Sequence, residues 1–327
     1  MSQNKNNKLR KYYFLVQSGT LGLYSDLYDE PNVCVYSSYE KLSAKPVEKN
    51  ALKVIDRFGR RFQYSVFTSC PGIIRVDSNA VYIIDPGFLR RIGKSLLDKL
   101  GGAGAKLVLV IFDSMHASSS DLIYAKETID SIKWNAIYTI DKDDAKEFGW
   151  NWIGLNYYSK PDIEINSTNY DCYFIGGLKG NREKAILDLF DYLKLKNAVP
   201  VFDLFCYSEK QRSEYDEKPG LNLSTTYLSY GEILKRTITA NCIIEILQEG
   251  QSCQSLRYFE AIAFNKKLLT NNKHIMELPF YDPRYMQYFE KVEDIDVEWI
   301  KKKEHIDYQY NNEFSIRRLF DDIKNTV

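Results

Sequence analysis

The sequence has no excess of charge of either sign. Its 327 residues include 44 Lys and Arg against 44 Asp and Glu, which leaves a formal net charge of zero. A protein that binds the phosphate backbone of DNA or RNA needs a positive field at its surface, and a balanced composition does not supply one. We therefore expect no nucleic-acid partner.

Cysteines and long apolar runs are scarce as well. The chain has six cysteines and no C-x-x-C pair, which is typical of reduced core thiols in a cytosolic protein. No apolar stretch approaches the roughly 20 residues of a membrane-spanning helix, and the N-terminal MSQNKNNKLRKYY lacks the apolar core of a secretion signal. We expect a cytoplasmic protein. The basic and aromatic cluster at residues 8–13 predicts either peripheral contact with the inner membrane face or a solvated leader.

What the sequence does contain is a series of short apolar runs that alternate with helical segments. In the first half, strands are predicted at residues 12–17, 33–36, 81–85, 106–112 and 136–140. These runs are apolar throughout, which indicates strands buried on both faces of a parallel sheet. A helix is predicted over residues 88–100, and the glycine pair at 101–102 ends it.

The same alternation starts again after a polar stretch at residues 156–169, where we place a domain boundary. Strands are predicted at residues 172–175, 199–205, 242–247 and 267–270, with helical segments at 181–195 and 230–237 and a loop followed by a helix over 249–264. The pattern predicts an α/β protein with two Rossmann-like domains facing a cleft. An amphipathic helix at residues 313–324 follows and needs a packing partner.

The most specific segment is EGQSCQSLRYFEAIAFNKKLLTNN at residues 249–272, which follows an apolar strand and opens a helix. The free N–H groups and positive dipole end of such a helix suit a pyrophosphate. Arg257 and Glu260 share one face, so Arg257 would neutralise the diphosphate while Glu260 accepts hydrogen bonds from ribose. The alternative is that Ser252 only caps the helix and that Arg257 and Glu260 form a surface ion pair.

This segment resembles the donor-binding segment of a bacterial GT-B glycosyltransferase family of lipopolysaccharide and capsular polysaccharide biosynthesis, whose members carry EGQSG followed by LRxxEA. The resemblance continues at residues 170–193 and 227–252 and, more loosely, at 135–150. Cys253 stands where the family has glycine. Glu249 and Glu260 lie further apart than the glutamate pair of better-known GT-B enzymes, so the ribose role is carried over to Glu260 alone.

The resemblance implies a metal-independent glycosyltransferase without a cofactor. It would transfer a sugar from a nucleoside diphosphate sugar, such as a UDP-sugar, to a hydroxyl of a glycan or lipid-linked oligosaccharide. Residues 1–160 would bind the acceptor and residues 161–308 the donor, while residues 309–327 would return as a helix to the first domain. The donor-binding residues implied are Gly177, Lys179, Arg182, Tyr227, Gly250, Gln251, Ser252, Ser255, Arg257 and Glu260.

Two of these donor assignments have alternatives. Lys179 and Arg182 follow a strand in GGLKGNR, which is neither a Walker loop nor a G-x-G-x-x-G fingerprint. They would offset charge on the leaving diphosphate, or the loop is merely solvated with Asn181 as a helix cap. Tyr227 would lie beside the nucleobase.

An inverting transfer needs a base near the acceptor hydroxyl, whereas a retaining one does not. Asp113 and His116 follow the predicted strand 106–112, at the end of a strand where α/β proteins place ligands. Asp26, in the loop SGTLGLYSD, is the other candidate. A structural role is the alternative for Asp113 and His116.

The DKDD at residues 141–144 superficially matches a metal-binding DxD motif. Because it follows a strand and precedes a helical segment, the pattern favours Asp141 or Asp143 as a helix cap, and we expect no metal site. Two other functions stay open: an NAD-linked sugar-modifying enzyme, although SGTLGL is a poor dinucleotide fingerprint, and a non-catalytic GT-B-like partner protein.

Overall fold

Apolar runs form two parallel sheets in the computed structural model, which describes residues 9–37, 76–116, 125–155, 157–164, 170–179, 182–216, 218–248, 251 and 253–327. The chain divides into two compact units, one of Met1–Ser159 with Ser315–Val327 and one of Lys160–Phe314. Among the described residues, no helix is long and apolar enough to cross a membrane.

The sheet of the first unit has six parallel strands in the order β2-β1-β3-β4-β5-β6. Its strands are β1 Lys11–Leu15, β2 Val33–Tyr36, β3 Ala80–Ile84, β4 Lys106–Ile111, β5 Ala136–Thr139 and β6 Asn151–Trp152. Among its described residues, helices include α1 Pro86–Gly102 and α2 Lys142–Phe148, residues 125–128 are also helical, and 3-10 turns lie at Ser18–Leu27 and Ile129–Ser131. The sequence did not predict the short edge strand β6.

The sheet of the second unit is also parallel, in the order β12-β11-β10-β7-β8-β9. Its strands are β7 Tyr170–Gly177, β8 Pro200–Phe205, β9 Leu221–Ser224, β10 Ala240–Glu245, β11 Lys267–Thr270 and β12 Met286–Tyr288. Read from β9, this is the Rossmann order 3-2-1-4-5-6, and the strand order, not the strand direction, reverses between the parallel neighbours β7 and β10.

Helices of the second unit cover both faces of its sheet. They are α3 Arg182–Leu195, α4 Glu209–Arg212, α5 Tyr230–Thr239, α6 Leu256–Ala263 and α7 Val297–Lys301, with 3-10 turns at Ile275–Glu277 and Val292–Asp294. Side chains of β8 alternate between the faces. Phe202 packs edge-on against Phe190 of α3 at 5.2 Å, so Asp203 and Phe205 point to the opposite face.

Side-chain caps fix where the first helices begin. Asp85 accepts a hydrogen bond from the Phe88 amide at 2.6 Å and begins α1. Asp141 accepts from the amides of Asp143 and Asp144 and begins α2. The interpretation of DKDD as a helix start is therefore confirmed.

The last helix, α8 Ile316–Thr326, belongs to the first unit, although the chain reaches it only after completing the second. Its apolar face is buried through Ile316, Leu319, Phe320 and Ile323. The Phe320 ring lies 5.0 Å from that of Tyr12 and 6.0 Å from that of Phe14, both on β1. The expected fold class, two Rossmann-like α/β domains with a returning C-terminal helix, is confirmed.

We predict that Phe320→Ala lowers the free energy of unfolding by about 3–5 kcal/mol, because it leaves a cavity between α8 and β1. Urea unfolding measures the loss. Arg318→Ala on the exposed side of the same helix is the control and should change stability by no more than about 0.5 kcal/mol. Equal effects of the two variants would contradict the packing of α8.

Candidate active site

The reversal of strand order in the second sheet puts Arg182 at a distinctive position. Its Nη1 donates to the Ile246 carbonyl, just past β10, at 3.1 Å, and its Nη2 donates to the Gly177 carbonyl, the last of β7, at 3.2 Å. Ligands of open α/β sheets bind outside the carboxyl ends of the two strands at this switch point. The structure therefore holds a permanent positive charge where an anionic ligand would bind.

Gly177 lies close to the side chain of Tyr207. A Cβ atom at Gly177 would lie 2.6 Å from the Tyr207 hydroxyl, so a larger residue would displace the tyrosine. Lys179 follows in the same loop and is half-buried. The alternative helix cap, Asn181, lies outside the described residues.

Beside Gly177 a cavity of about 440 Å³ opens on the face of the sheet that carries Asp203 and Phe205. Strands β7, β8 and β9 form its floor, and α5 with the loop before it forms its wall. Tyr227, in that loop, stacks on Phe205 with ring centroids 3.7 Å apart and an interplanar angle of 14°. Because Tyr227 is 73% exposed, its ring is accessible for stacking with a planar ligand.

A polar cluster at Asp203 forms the floor of this cavity. Arg236 places Nη1 2.7 Å from both carboxylate oxygens, Tyr173 donates its hydroxyl at 2.6 Å and Asn222 donates its amide at 2.8 Å. Burial and the hydrogen bond to Asp203 raise the pKa of Tyr173, so the phenol remains a donor at neutral pH. Sequence reasoning missed this cluster, since its members lie on three strands and a helix.

Arg257 and Glu260 form a pair, but a buried one. Their side chains are 13% and 0% exposed, and Arg257 also donates to the Thr237 hydroxyl at 3.0 Å. The other Glu260 oxygen accepts from the Tyr230 hydroxyl at 3.2 Å. The alternative of a surface ion pair is therefore wrong. Both Glu260 oxygens have protein partners in this structure, so its contact with ribose stays a prediction.

Ser255 caps α6 and links it to a buried carboxylate that the sequence did not single out. The Ser255 hydroxyl accepts from the Arg257 amide at 3.2 Å and donates to Glu245 at 2.7 Å, and Thr270 donates to the second Glu245 oxygen at 2.6 Å. Burial raises the pKa of Glu245. Glu245 thus connects the start of α6 to the ends of β10 and β11. The one sequence signal for this role was its position at the end of an apolar run.

The loop between β10 and α6 is described in part. Gln251 closes a turn in which its amide donates to the Gln248 carbonyl at 3.1 Å. The predicted phosphate contacts Gly250 and Ser252 lie outside the described residues.

In the first unit, Asp26 has a structural contact. Its carboxylate accepts from the Ser315 hydroxyl, and its amide donates to the Ser159 hydroxyl at 3.3 Å. Ser159 and Ser315 are the residues at which the chain leaves this unit and enters it again. Asp26 therefore links the segments that contain Ser159 and Ser315. Its hydrogen bond from Ser315 disfavours the prediction that Asp26 acts as a base.

Asp113 and His116 lie in the loop after β4, as predicted. Asp113 accepts from the Ser114 amide at 3.0 Å. The Nε2 of His116 lies 3.1 Å from Glu147 and 3.8 Å from Asp144, both on α2. Asp144 is buried, and this burial raises its pKa to about 6. The i,i+3 spacing of Asp144 and Glu147 on one helix face was the only sequence signal for this cluster.

Metal binding has no evident site in the described part of the chain, where no group of three or more His, Cys, Asp or Glu side chains is arranged to hold an ion. Independence from metal stays a prediction.

No protein-family model and no curated protein matches the sequence. Several solved structures resemble its fold at low identity. T4 phage BGT in complex with UDP-glucose is 11% identical, with 97% of this chain and 96% of that chain covered and a TM-score of 0.46. UDP-N-acetylglucosamine 2-epimerase from Rickettsia bellii is 10% identical, with 97% and 96% covered and a TM-score of 0.48. A UDP-forming α,α-trehalose-phosphate synthase from Burkholderia vietnamiensis is 8% identical, with 97% and 94% covered and a TM-score of 0.46.

We predict that Glu260→Ala destabilises the protein by about 3–5 kcal/mol, because it leaves the largely buried Arg257 cation without its partner. Replacing both residues by Met should cost much less, and a double-mutant cycle in urea measures the coupling. The exposed pair of Lys184 and Asp188 on α3 is the control, with coupling of about 0.5 kcal/mol. Similar coupling in both pairs would show that the Arg257 pair is solvated.

A second prediction concerns pH. Asp144 ionises near 3.8 when unfolded and near 6 when folded. The unfolded chain therefore loses this proton first, and the contribution of Asp144 to stability falls as pH rises from about 4 to about 6. Asp144→Asn should gain stability relative to the wild type across that window, as measured by urea unfolding at several pH values. Asp143→Asn, an exposed change on the same helix, should not. A flat difference for Asp144→Asn would contradict the raised pKa.

Proposed function

We propose that the protein is a GT-B glycosyltransferase that moves a sugar from a nucleoside diphosphate sugar to a hydroxyl of a glycan or lipid-linked oligosaccharide. One observation carries the proposal: Gly177 lines the cavity with the exposed aromatic ring, and its carbonyl accepts a hydrogen bond from the Arg182 guanidinium. A site for a planar ring and a site for an anion are therefore adjacent, as the two ends of a nucleotide require.

In this proposal, the nucleobase stacks on Tyr227 in the cavity. The diphosphate lies at the switch point beside Arg182 and Lys179, against the loop that includes Gly250, Gln251 and Ser252. Helix α6 begins after this loop and directs its amino terminus toward the carboxyl edge of the sheet, which favours an anion. Arg257 adds a third cation, which Glu260 holds in place.

The reaction is attack of an acceptor hydroxyl on the anomeric carbon with departure of the nucleoside diphosphate. Negative charge grows on the leaving diphosphate, and fixed cations at that position lower the barrier without reorganising. Arg182 supports this role because two main-chain carbonyls hold its guanidinium in place. The first unit would bind the acceptor.

The biological setting that we propose is bacterial surface polysaccharide synthesis, either of lipopolysaccharide or of capsule. The support is the resemblance of residues 249–272 to the donor segment of that family. A lipid-linked acceptor would bring a cytoplasmic enzyme to the inner face of the membrane, where the basic residues near the N-terminus would contact anionic lipid.

We predict that one nucleoside diphosphate raises the melting temperature of the protein in a screen of UDP, GDP, dTDP, CMP and NAD, with UDP the expected ligand. Tyr227→Ala should weaken its binding about 5- to 100-fold, since base stacking contributes about 1–3 kcal/mol. Tyr227→Phe, which keeps the ring, should bind like the wild type. A response to NAD alone would favour the NAD-linked sugar-modifying enzyme, and no response at all would favour the non-catalytic partner protein.

The phosphate end of the site has its own test. Lys179→Ala should weaken the binding of UDP and leave the binding of uridine unchanged, because in this proposal the lysine contacts only the diphosphate. Calorimetry measures both affinities. Lys235→Ala, an exposed change on α5, should alter neither. Equal weakening of UDP and uridine by Lys179→Ala would place the diphosphate elsewhere.

A further inference from the structure

We propose that His116 is the general base of the transfer, acting through Nδ1, and that Glu147 and Asp144 are the positioning residues that orient its ring. The inference rests on the proposed function and adds to it the choice of base and the carboxylates behind it. Its support is the geometry at the carboxyl ends of β4 and β5, where ligands of parallel sheets bind.

The two nitrogens of the His116 ring have different surroundings. Nε2 faces Glu147 at 3.1 Å and Asp144 at 3.8 Å, whereas Nδ1 contacts no polar group within the described part of the chain. A carboxylate that accepts from Nε2–H selects the tautomer with a lone pair on Nδ1. Because the His116 side chain is 54% exposed, that lone pair is accessible to an acceptor hydroxyl.

Asp144 is the second, independent observation. Its side chain is fully buried, and one oxygen accepts from the Met115 amide at 2.7 Å. The other oxygen has no hydrogen-bond partner and lies toward Nε2 of His116. Since a buried, half-satisfied carboxylate costs stability, a functional role explains why it occupies this position. The Met115 contact also fixes the loop one residue before His116.

The groups that face Asp144 make the site acidic. Asp141 at the start of α2, Glu147 one turn on and His116 in the loop all interact with it electrostatically. Asp113 lies in the same loop, with its carboxylate on the Ser114 amide. An imidazolium formed during the reaction would thus lie beside several carboxylates, which stabilise it.

The proposed step follows the logic of a carboxylate-oriented histidine. As the acceptor oxygen bonds to the anomeric carbon, its proton passes to Nδ1 of His116. The carbon–oxygen bond to the diphosphate breaks, and its electron pair leaves with the nucleoside diphosphate. The carboxylates of Glu147 and Asp144 stabilise the protonated ring.

The first test is the tautomer of His116, measured by ¹⁵N NMR on protein labelled at its three histidines, with His116→Ala to assign the signal. We expect the proton of the neutral ring on Nε2, and a shift of the population toward Nδ1–H in Glu147→Gln and Asp144→Asn. Asp143→Asn is the matched control on α2 and should leave the tautomer unchanged. A wild-type ring that carries its proton on Nδ1 would overturn the proposal.

The second test is release of UDP from UDP-glucose and UDP-N-acetylglucosamine with water as acceptor. His116→Ala should lower kcat about 100-fold or more, and added imidazole should restore part of it. Glu147→Gln and Asp144→Asn should lower kcat about 10-fold or more through misplacement of the ring, without changing KM. UDP binding should stay at the wild-type level in all three.

The outcomes separate this inference from the proposed function. If the wild type binds no nucleoside diphosphate, the glycosyltransferase proposal fails, and the base with it. If it binds UDP and releases UDP from the sugar at an unchanged rate in His116→Ala, only the choice of base is wrong. His116→Ala could instead lose kcat without being rescued by imidazole, while Glu147→Gln and Asp144→Asn leave the tautomer unchanged. That combination would overturn both the base and the positioning role of the two carboxylates.

Discussion

The contact on which the second unit depends is the bridge from Arg182 to the carbonyls of Gly177 and Ile246. The carboxyl ends of parallel strands carry main-chain oxygens that need hydrogen-bond donors. Where the strand order reverses, between β7 and β10, two such ends lie side by side. One guanidinium satisfies both and keeps its charge at the sheet edge. The bridge joins Gly177, which lines the aromatic cavity, to Ile246, which follows β10.

Three buried carboxylates connect elements of the fold, and they differ in how many hydrogen-bond and ion-pair partners they have. Glu245 accepts from Ser255 and Thr270 and joins three elements. Glu260 is balanced by Arg257 and Tyr230. Asp144 has one amide donor and an exposed histidine. An isolated buried charge lowers stability. Asp144 has the fewest partners of the three, so a functional role best explains its position.

Much of the fold could be predicted because a strand buried on both faces leaves a continuous apolar run, as in β4 and β10. The elements that were missed are the short edge strands β6, β9 and β12, with sequences NW, LNLS and MQY, since edge strands face solvent and carry no such run. Part of the candidate site was also predictable, namely Arg182, Tyr227 and the His116 loop, because strand ends are where α/β proteins bind ligands.

Periodicity and capping act between neighbours in the chain, so the sequence was enough to predict the two α/β halves, the helix that begins at the DKDD motif and the amphipathic helix at the C-terminus. Which polar groups come into contact became evident from the folded chain. Asp203 gathers Tyr173, Asn222 and Arg236 from separate elements, and α2 brings Asp144 and Glu147 to His116. Such contacts depend on strand order and on burial, and neither can be predicted from the spacing of residues along the sequence.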